Sequence, residues 1–245
     1  MTEIYGHRGA AAYAPENTIP SFKLAIGLHA DAVEFDVQMT SDHQLVVIHD
    51  ETLDRTTDGS GPVKSHTLAQ LKALDACAGK TDFRQARIPT LDEVLELLVP
   101  TKLRLNVELK NSEVEYPGLE EKAVEAVRRH GLERRVVFST FNHYSLRLLE
   151  DMGVGPLGCL YQDILFRPWR YVAALGVEAV HPPAVAVFGK RYVRKCHEAG
   201  LYVRPWVVNG KAELRRLMRW GVDAVFTDAP DVAMAVRDDL AAEDA

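Results

Sequence analysis

Residues 32–38 read AVEFDVQ, and this stretch decides the fold. Because successive side chains of a strand point to opposite faces, Glu34 and Asp36 share one face, while the apolar residues beside them share the other. The apolar face is expected to lie under helices, which turns both carboxylates to the inner side of the sheet. The stretch therefore predicts a buried strand with an acidic second face.

Seven further apolar runs have strand character, and helical patterns separate them along the chain. They are EIYGHRG (3–9), LRLNVELK (103–110), RVVFST (135–140), GPLGCLY (155–161), VEAVHPP (177–183), LYVRPWVVN (201–209) and VDAVFTD (222–228). Eight strands that alternate with helices over 245 residues are typical of an α/β fold, the (β/α)8 TIM barrel. A doubly wound open sheet is the alternative, although no GxGxxG motif follows a strand.

Several helix boundaries carry capping signals. A helix is predicted to begin after Thr18, with Pro20 in its first turn. Thr90 and Glu93 have the spacing of a capping box, which predicts a helix start at that point. Another helix is expected to close on Gly221, because a glycine readily adopts the left-handed conformation that ends many helices.

The segment between the second and third strands breaks the alternation. Residues 39–102 contain a strand-like QLVVIHD, the polar loop HDETLDRTTDGSGP and two short helical patterns. Loops of this length in compact domains are usually functional. We therefore predict a small insertion at about 39–102 over one mouth of the barrel. No linker marks a second unit, so residues 1–245 are expected to form a single domain.

Polar residues gather near the C-terminal ends of the predicted strands, where barrel enzymes hold their catalytic groups. Glu108 shares a face with Lys110 and is expected to approach Glu34 and Asp36. Three carboxylates in a site of low dielectric constant cannot all stay ionised without a cation. Oxygen ligands suit one divalent cation, Mg²⁺ or Ca²⁺, better than zinc. The alternative is that the carboxylates form internal ion pairs with Arg8 and Lys110.

Two histidines follow apolar runs, His7 in YGHRG and His49 in VVIHD. Two imidazoles beside a metal can supply a general acid and a general base near neutral pH. Arg8 and Lys110 add positive charge, and a guanidinium group is well shaped for a phosphate. The combination indicates phosphoryl transfer to water or to a hydroxyl group.

Taken in order, these motifs resemble those of the glycerophosphodiester phosphodiesterase family. The matching motifs are His7-Arg8-Gly9, PENT (15–18), VEFDV (33–37), VVIHD (46–50), VELK (107–110), FST (138–140), WVVN from Trp206, and FTDAP (226–230). They extend from residue 5 to about residue 232. The resemblance implies a (β/α)8 barrel with an insertion after strand two, in agreement with the long segment described above.

The resemblance also implies a role for each matching residue. It makes His7 and His49 the acid–base pair, Glu34, Asp36 and Glu108 the metal ligands, Arg8 and Lys110 the phosphate-binding residues, Glu16 and Asn17 the neighbours that orient them, and Trp206 a wall of the pocket. Phe141 and Phe188 are further candidates to line the same mouth.

The implied reaction is hydrolysis of glycerophosphodiesters, such as glycerophosphocholine and glycerophosphoethanolamine, to glycerol 3-phosphate and an alcohol. A lysophospholipase D-type hydrolase of related fold is one alternative. Such an enzyme acts at membranes and would be helped by an apolar or basic rim, but the sequence shows no strongly apolar or basic segment to form one. A non-catalytic barrel that binds phosphoesters is the other.

Composition restricts the partners and the location. The net charge is −6 with dispersed basic residues, so no nucleic-acid partner is expected. The small-molecule substrate is what the family resemblance implies. No run approaches the ~18 apolar residues of a membrane span, and no stable membrane association is expected. Since little precedes Ile4 and the thiols of Cys77, Cys159 and Cys196 lack CxxC pairing, the sequence predicts a cytoplasmic protein. The oligomeric state is left open.

Overall fold

Strands and helices alternate along the chain in the computed structural model, which describes residues 1–243. The strands are β1 (Glu3–Gly6), β2 (Ala32–Met39), β3 (Leu45–Val47), β4 (Arg104–Leu109), β5 (Val136–Thr140), β6 (Leu157–Leu160), β7 (Ala179–His181), β8 (Tyr202–Val203) and β9 (Ala224–Thr227). All but β3 form one parallel sheet in the order β8-β7-β6-β5-β4-β2-β1-β9, and β3 pairs antiparallel with β2.

Backbone hydrogen bonds join the two ends of this order. Asp223 N donates to Val203 O (2.9 Å), and Phe226 N donates to Pro205 O (3.0 Å). Val208 N in turn donates to the carbonyl of Phe226 (2.8 Å). The parallel sheet is therefore a nearly closed eight-stranded barrel, as the sequence predicts, and not a doubly wound open sheet.

The helices are α1 (Ile19–Gly27), α2 (Leu68–Ala73), α3 (Leu91–Leu98), α4 (Leu119–Arg129), α5 (His143–Asp151), α6 (Pro168–Ala174), α7 (Lys190–Glu198), α8 (Lys211–Trp220) and α9 (Pro230–Glu243). The capping box of Thr90 and Glu93 is present at the start of α3, and α8 closes on Gly221 with φ +84°. At α1 the Thr18 hydroxyl donates to Pro15 O (2.6 Å) and does not cap the helix. None of the helices in residues 1–243 is long and apolar enough to cross a membrane.

The chain between β2 and β4 holds β3, α2, α3 and two 3₁₀ turns. It has an apolar cluster of its own, formed by Val46, Ile48, Leu53, Val63, Leu71, Ala76 and Ile88. Ile48 N donates to Asp36 O (3.0 Å), which fixes the following residue, His49, at the C-terminal end of β2. The bounds 39–102 of an insertion and the single domain 1–245 stay predictions, and the last two residues of that domain lie outside the described part.

The core lies between the barrel and its helices. Val33, Phe35 and Val37 are fully buried in it, and the Phe35 ring meets the Phe22 ring of α1 edge to face at 5.7 Å. Since side chains alternate along β2, this packing turns Glu34 and Asp36 into the barrel. The sequence pattern thus places acidic groups at the centre of the molecule.

Candidate active site

Three acidic side chains meet inside the barrel near the C-terminal ends of β2 and β4. The strand register places Asp36 beside Glu108. One carboxylate oxygen from each of Glu34, Asp36 and Glu108 lies within 4.8 Å of the other two. Glu34 is 3% exposed and Asp36 is 1% exposed, so water scarcely reaches these charges.

Ion pairs satisfy this cluster only in part. Arg8 Nε lies 3.4 Å from Asp36 Oδ2, and Lys110 Nζ donates to Glu108 Oε1 (3.1 Å). Within residues 1–243, however, Glu34 Oε1 and Asp36 Oδ1 are buried with no hydrogen-bond partner. Leaving buried carboxylate oxygens unpaired is costly, and a hard divalent cation bound between them would satisfy both. The donor set fits such a cation better than internal ion pairs alone.

The carboxyl groups of the cluster titrate at separated pH values. Burial, with the added charges of Asp36 and Glu108, raises the pKa of Glu34 well above its ordinary value. Burial and the charge of Asp36 likewise raise the pKa of Glu108 to about 7. Burial acts on Asp36 in the same sense, but the Arg8 guanidinium, with further positive neighbours, outweighs it and lowers the pKa to about 2. This spread is typical of carboxylates forced together without a cation.

A tight turn after β1 delivers Arg8 to this cluster. Arg8 has φ +53° and Gly9 has φ +89°, and a Cβ atom on Gly9 would overlap Ser21 of α1. The turn brings the Arg8 backbone N to Glu34 Oε2 (2.8 Å). On the other side, Asn17 Nδ2 donates to Asp36 Oδ2 (2.7 Å). The Arg8 backbone and the Asn17 side chain therefore each hold one carboxylate oxygen of the cluster in place.

Each of the two predicted histidines contacts a carboxylate. His7 Nδ1 lies 2.7 Å from Asp228 Oδ1, and His49 Nδ1 lies 2.6 Å from Asp50 Oδ1. A carboxylate at Nδ1 favours the tautomer that carries its hydrogen there, which leaves Nε2 to exchange protons. His49 Nε2 is 3.3 Å from Lys110 Nζ. The arrangement suits proton transfer by both rings.

Arg55 links the His49 side of the site to the Arg8 side. Its Nε and Nη2 donate to Asp50 (2.6 and 2.8 Å), while Nη1 and Nη2 donate to Glu16 (2.7 and 2.8 Å). Glu16 also accepts a hydrogen bond from Arg8 Nη1 (2.7 Å). A continuous chain of charged contacts therefore runs from His49 to Arg8.

Gln38 holds the backbone around His49. Its Nε2 lies 3.1, 2.9 and 2.7 Å from the carbonyl oxygens of Ile48, His49 and Asp50, and its Oε1 accepts from Tyr116 Oη (2.9 Å). Gln38 is fully buried and continues the inward row of polar side chains on β2. The loop that carries His49 is thereby fixed to the barrel wall.

A cavity of about 480 Å³ opens at this end of the barrel. The sequence-predicted residues that line it are His7, Arg8, Glu34, His49, Glu108, Lys110 and Trp206. The Trp206 ring meets the Phe141 ring at 5.6 Å, nearly perpendicular, and Trp206 Nε1 donates to His181 O (2.8 Å). Phe188 lines a neighbouring groove instead. The cavity thus combines an aromatic wall with the charged groups.

Sequence reasoning missed several residues of this site. Asp228 directly follows β9 in the quoted motif FTDAP, so its position after a strand end was the available signal. Asp50 and Arg55 lie in the polar loop after His49, and their spacing in the sequence does not indicate which residues they contact. Glu51 and Asp163 also line the cavity and were not singled out.

Comparisons with known proteins extend along nearly the whole chain. Residues 7–232 match the glycerophosphoryl diester phosphodiesterase family. A glycerophosphodiester phosphodiesterase of Caldanaerobacter subterraneus subsp. tengcongensis is 43% identical over 232 residues, which cover 94% of this chain and 95% of that protein.

Solved structures agree with the sequence comparison. An Oleispira antarctica phosphodiesterase in complex with the product sn-glycerol-3-phosphate has a TM-score of 0.88 and 32% identity, over 97% of each chain. A glycerophosphodiester phosphodiesterase of Agrobacterium tumefaciens has a TM-score of 0.84 and 30% identity, over 96% of this chain and 100% of the other. The likeness therefore includes both the fold and the strands that carry the site.

Proposed function

The chain belongs to the glycerophosphoryl diester phosphodiesterase family, and from this premise we propose that it hydrolyses glycerophosphodiesters to glycerol 3-phosphate and an alcohol with the aid of a divalent cation. One observation carries the cation-dependent part of the proposal. Glu34 and Asp36 each keep a buried carboxylate oxygen without a hydrogen-bond partner in the described chain, and Glu34 lines the cavity that His7 and His49 also line.

Glu34, Asp36 and Glu108 would hold the cation, Mg²⁺ or Ca²⁺, through carboxylate oxygens. When bound, the cation supplies positive charge that stabilises the negative charge growing on the phosphoryl oxygens. Arg8 uses Nη1 for Glu16 and has further N–H groups for a phosphate oxygen. Lys110 adds a second positive charge at the cavity wall.

His7 and His49 form the acid–base pair of this proposal. One imidazole removes the proton of the attacking hydroxyl group, and the other protonates the oxygen of the departing alcohol. Asp228 and Asp50 hold the Nδ1 atoms, so Nε2 of each ring exchanges the proton. A positioned acid or base of this kind contributes about 10²–10⁴-fold to the rate.

The remaining cavity walls support an alcohol that carries a positive charge. Glu51, Glu113 and Asp163 line the cavity, and none of them forms an ion pair with another described residue. Trp206 and Phe141 present aromatic rings, which attract organic cations. Choline and ethanolamine carry ammonium groups, so glycerophosphocholine and glycerophosphoethanolamine fit this cavity. The free thiols of Cys77, Cys159 and Cys196 support the cytoplasmic location that completes the proposal.

The experiment is a panel of glycerophosphodiesters assayed after chelation and after return of Mg²⁺ or Ca²⁺. We expect release of glycerol 3-phosphate, with choline and ethanolamine diesters turned over faster than diesters of neutral alcohols. The double variant Glu113→Gln/Asp163→Asn should reduce this preference, whereas Glu115→Gln, exposed nearby but outside the cavity, should not. If no glycerol 3-phosphate is released with either metal, the proposed activity is wrong. If diesters of neutral alcohols are turned over as fast as the choline and ethanolamine diesters, the proposed preference is wrong.

A further inference from the structure

An apolar groove with basic edges lies beside the catalytic cavity. It is lined by the loop after β6 (161–167), the start of α6, Phe188 of the loop after β7 (182–189) and one side of α7, so the groove lies at the same end of the barrel as the cavity. The first loop belongs to both features, because residues 161–163 line the cavity and residues 164–167 line the groove.

Large apolar side chains of these loops point into solvent. Phe166 is 87% exposed, Ile164 is 63% exposed and Phe188 is 61% exposed, and all three line the same groove. Val185, in the second loop, is 69% exposed. A soluble protein rarely gathers such side chains on one surface unless another surface covers them.

The charge around these side chains is positive although the whole chain is acidic. Between residues 163 and 198 the basic residues are Arg167, Arg170, Lys190, Arg191, Arg194 and Lys195, and the acidic residues are Asp163, Glu178 and Glu198, of which Glu198 pairs with Arg194 and Lys195. Over the described part of the chain, no carboxylate forms an ion pair with Arg167, Arg170 or Arg191. The Arg167 guanidinium carbon lies 4.9 Å from the Phe166 ring centroid. Aromatic and basic groups therefore occupy one continuous surface.

We propose that this surface docks reversibly on a lipid bilayer that contains anionic lipids. The surface, called the basic–apolar rim below, consists of Ile164, Phe166, Arg167, Phe188 and Arg191. Phenylalanine and isoleucine side chains enter the boundary between headgroups and acyl chains, while arginines bind anionic headgroups. An anionic membrane surface is therefore complementary to the rim, which combines exposed apolar side chains with cations that have no ion-pair partner in the described chain.

A second copy of the chain fits the rim less well. In a two-fold dimer the same patch lies on both sides of the interface, so Arg167 and Arg191 would add positive charge to both sides. No acidic residue lies in the groove to neutralise them. Repulsion between the cations would therefore oppose such a dimer, whereas anionic lipids would neutralise them.

Docking in this way places the mouth of the catalytic cavity at the membrane, because residues 161–163 connect the two features. The sequence contains no single segment that supplies a basic or apolar rim. The fold builds one from the loop after β6 and from Phe188 and α7, which follow about 20 residues later in the chain. Docking itself does not depend on the proposed function, since the rim shares none of its residues with the catalytic machinery.

Flotation with lipid vesicles tests the proposal. We expect the protein to float with vesicles of phosphatidylcholine mixed with phosphatidylglycerol, but not with vesicles of phosphatidylcholine alone. Phe166→Ser/Phe188→Ser should abolish flotation, and Arg167→Gln and Arg191→Gln should each weaken binding about fivefold. Tyr202→Ser is the matched control, since Tyr202 is 51% exposed at the opposite end of the barrel. It should float like the parent protein.

Turnover of a soluble glycerophosphodiester shows that each rim variant is intact, and we expect it to equal that of the parent protein. Flotation of Phe166→Ser/Phe188→Ser at the parent level would overturn the proposal, as would equal binding to neutral vesicles. A dimer of the parent protein that these two substitutions dissociate in analytical ultracentrifugation would also overturn it, because a second copy would then cover the rim. Vesicle binding can be measured even if the protein turns over no substrate, so the docking proposal and the proposed function can fail separately.

Discussion

The Asp228 carboxylate lies 2.7 Å from Nδ1 of His7, although the two residues are 221 positions apart in the chain. His7 follows β1 and Asp228 follows β9, so the pairing of these strands brings them together. Burial tends to raise the pKa of Asp228, but the hydrogen bond with His7 and that from Asn209 Nδ2 (2.6 Å) outweigh it and lower the pKa. The carboxylate therefore stays ionised and holds the imidazole ring.

Substitution of either partner should impair turnover. We expect His7→Ala to lose about 10²–10⁴-fold in kcat, the contribution of one acid or base. Asp228→Asn keeps the imidazole and one oxygen acceptor but loses the negative charge that fixes the tautomer, so its loss should be smaller than that of His7→Ala. Steady-state kinetics at saturating metal measure both changes. Asp231→Asn, at the start of α9, is the control and should retain the parent rate.

His49→Ala should show a loss of the same order as His7→Ala. Near-normal turnover of this variant would mean that the loop after β3 carries no catalytic chemistry. The assignment of an acid–base pair would then be wrong, while the carboxylate cluster would be untouched by the result.

Arg55 should act on the reaction through the residues that it positions. Its guanidinium joins Asp50 to Glu16, and a lysine cannot reproduce both two-pronged contacts. We therefore expect Arg55→Lys and Arg55→Ala to lower kcat and to change its pH profile, because the His49 ring loses its support. Thermal unfolding should change little, since exposed ion pairs contribute about 0–1 kcal/mol. Arg87→Ala is the control, because within residues 1–243 the Arg87 guanidinium donates a hydrogen bond only to Ala86 O (3.2 Å).

The sequence predicts those parts of the site that depend on local periodicity. Alternation along β2 and β4 suffices to place Glu34, Asp36 and Glu108 inside the barrel, because the apolar side must face the helices. The partner of His7 depends on how the last strand pairs with the first, and no local sequence pattern predicts that pairing. The solvent exposure of an apolar side chain is equally unpredictable from the sequence, since nothing in the sequence distinguishes Phe166 from a core residue.

Metal removal and pH should act together on the carboxylate cluster. We expect chelation to abolish turnover and to leave the far-UV circular dichroism spectrum unchanged. In the metal-free protein the pKa of Glu108 is about 7, above its ordinary value of 4.5, so the folded state binds more protons than the unfolded chain between these values. The free energy of unfolding should therefore rise as the pH falls from about 8 to about 5.

The same measurement on the metal-loaded protein is the comparison. A bound cation keeps the carboxylates ionised, so acid should release it and lower the melting temperature. In the metal-free protein the low pKa of Asp36, about 2, makes further acid destabilising below about pH 4. Undiminished turnover in excess chelator would favour the internal ion pairs with Arg8 and Lys110.

The last prediction concerns the group that attacks phosphorus. Ser139 and Cys159 are not activated nucleophiles: Ser139 is fully buried and its Oγ accepts a hydrogen bond from Asn106 Nδ2 (2.8 Å), and burial raises the pKa of the Cys159 thiol to about 12. A glycerophosphodiester carries its own 2-hydroxyl group, and attack within one molecule has an effective molarity of about 10⁵–10⁸ M. The hydroxyl oxygen would bond to phosphorus, the bond to the alcohol would break, and water would then open the five-membered cyclic phosphate with the roles of His7 and His49 reversed. We therefore expect a substrate that lacks only the 2-hydroxyl group to bind as a competitive inhibitor without being cleaved. Turnover of that compound at the rate of its parent, measured by alcohol release at saturating metal, would instead establish direct attack by water.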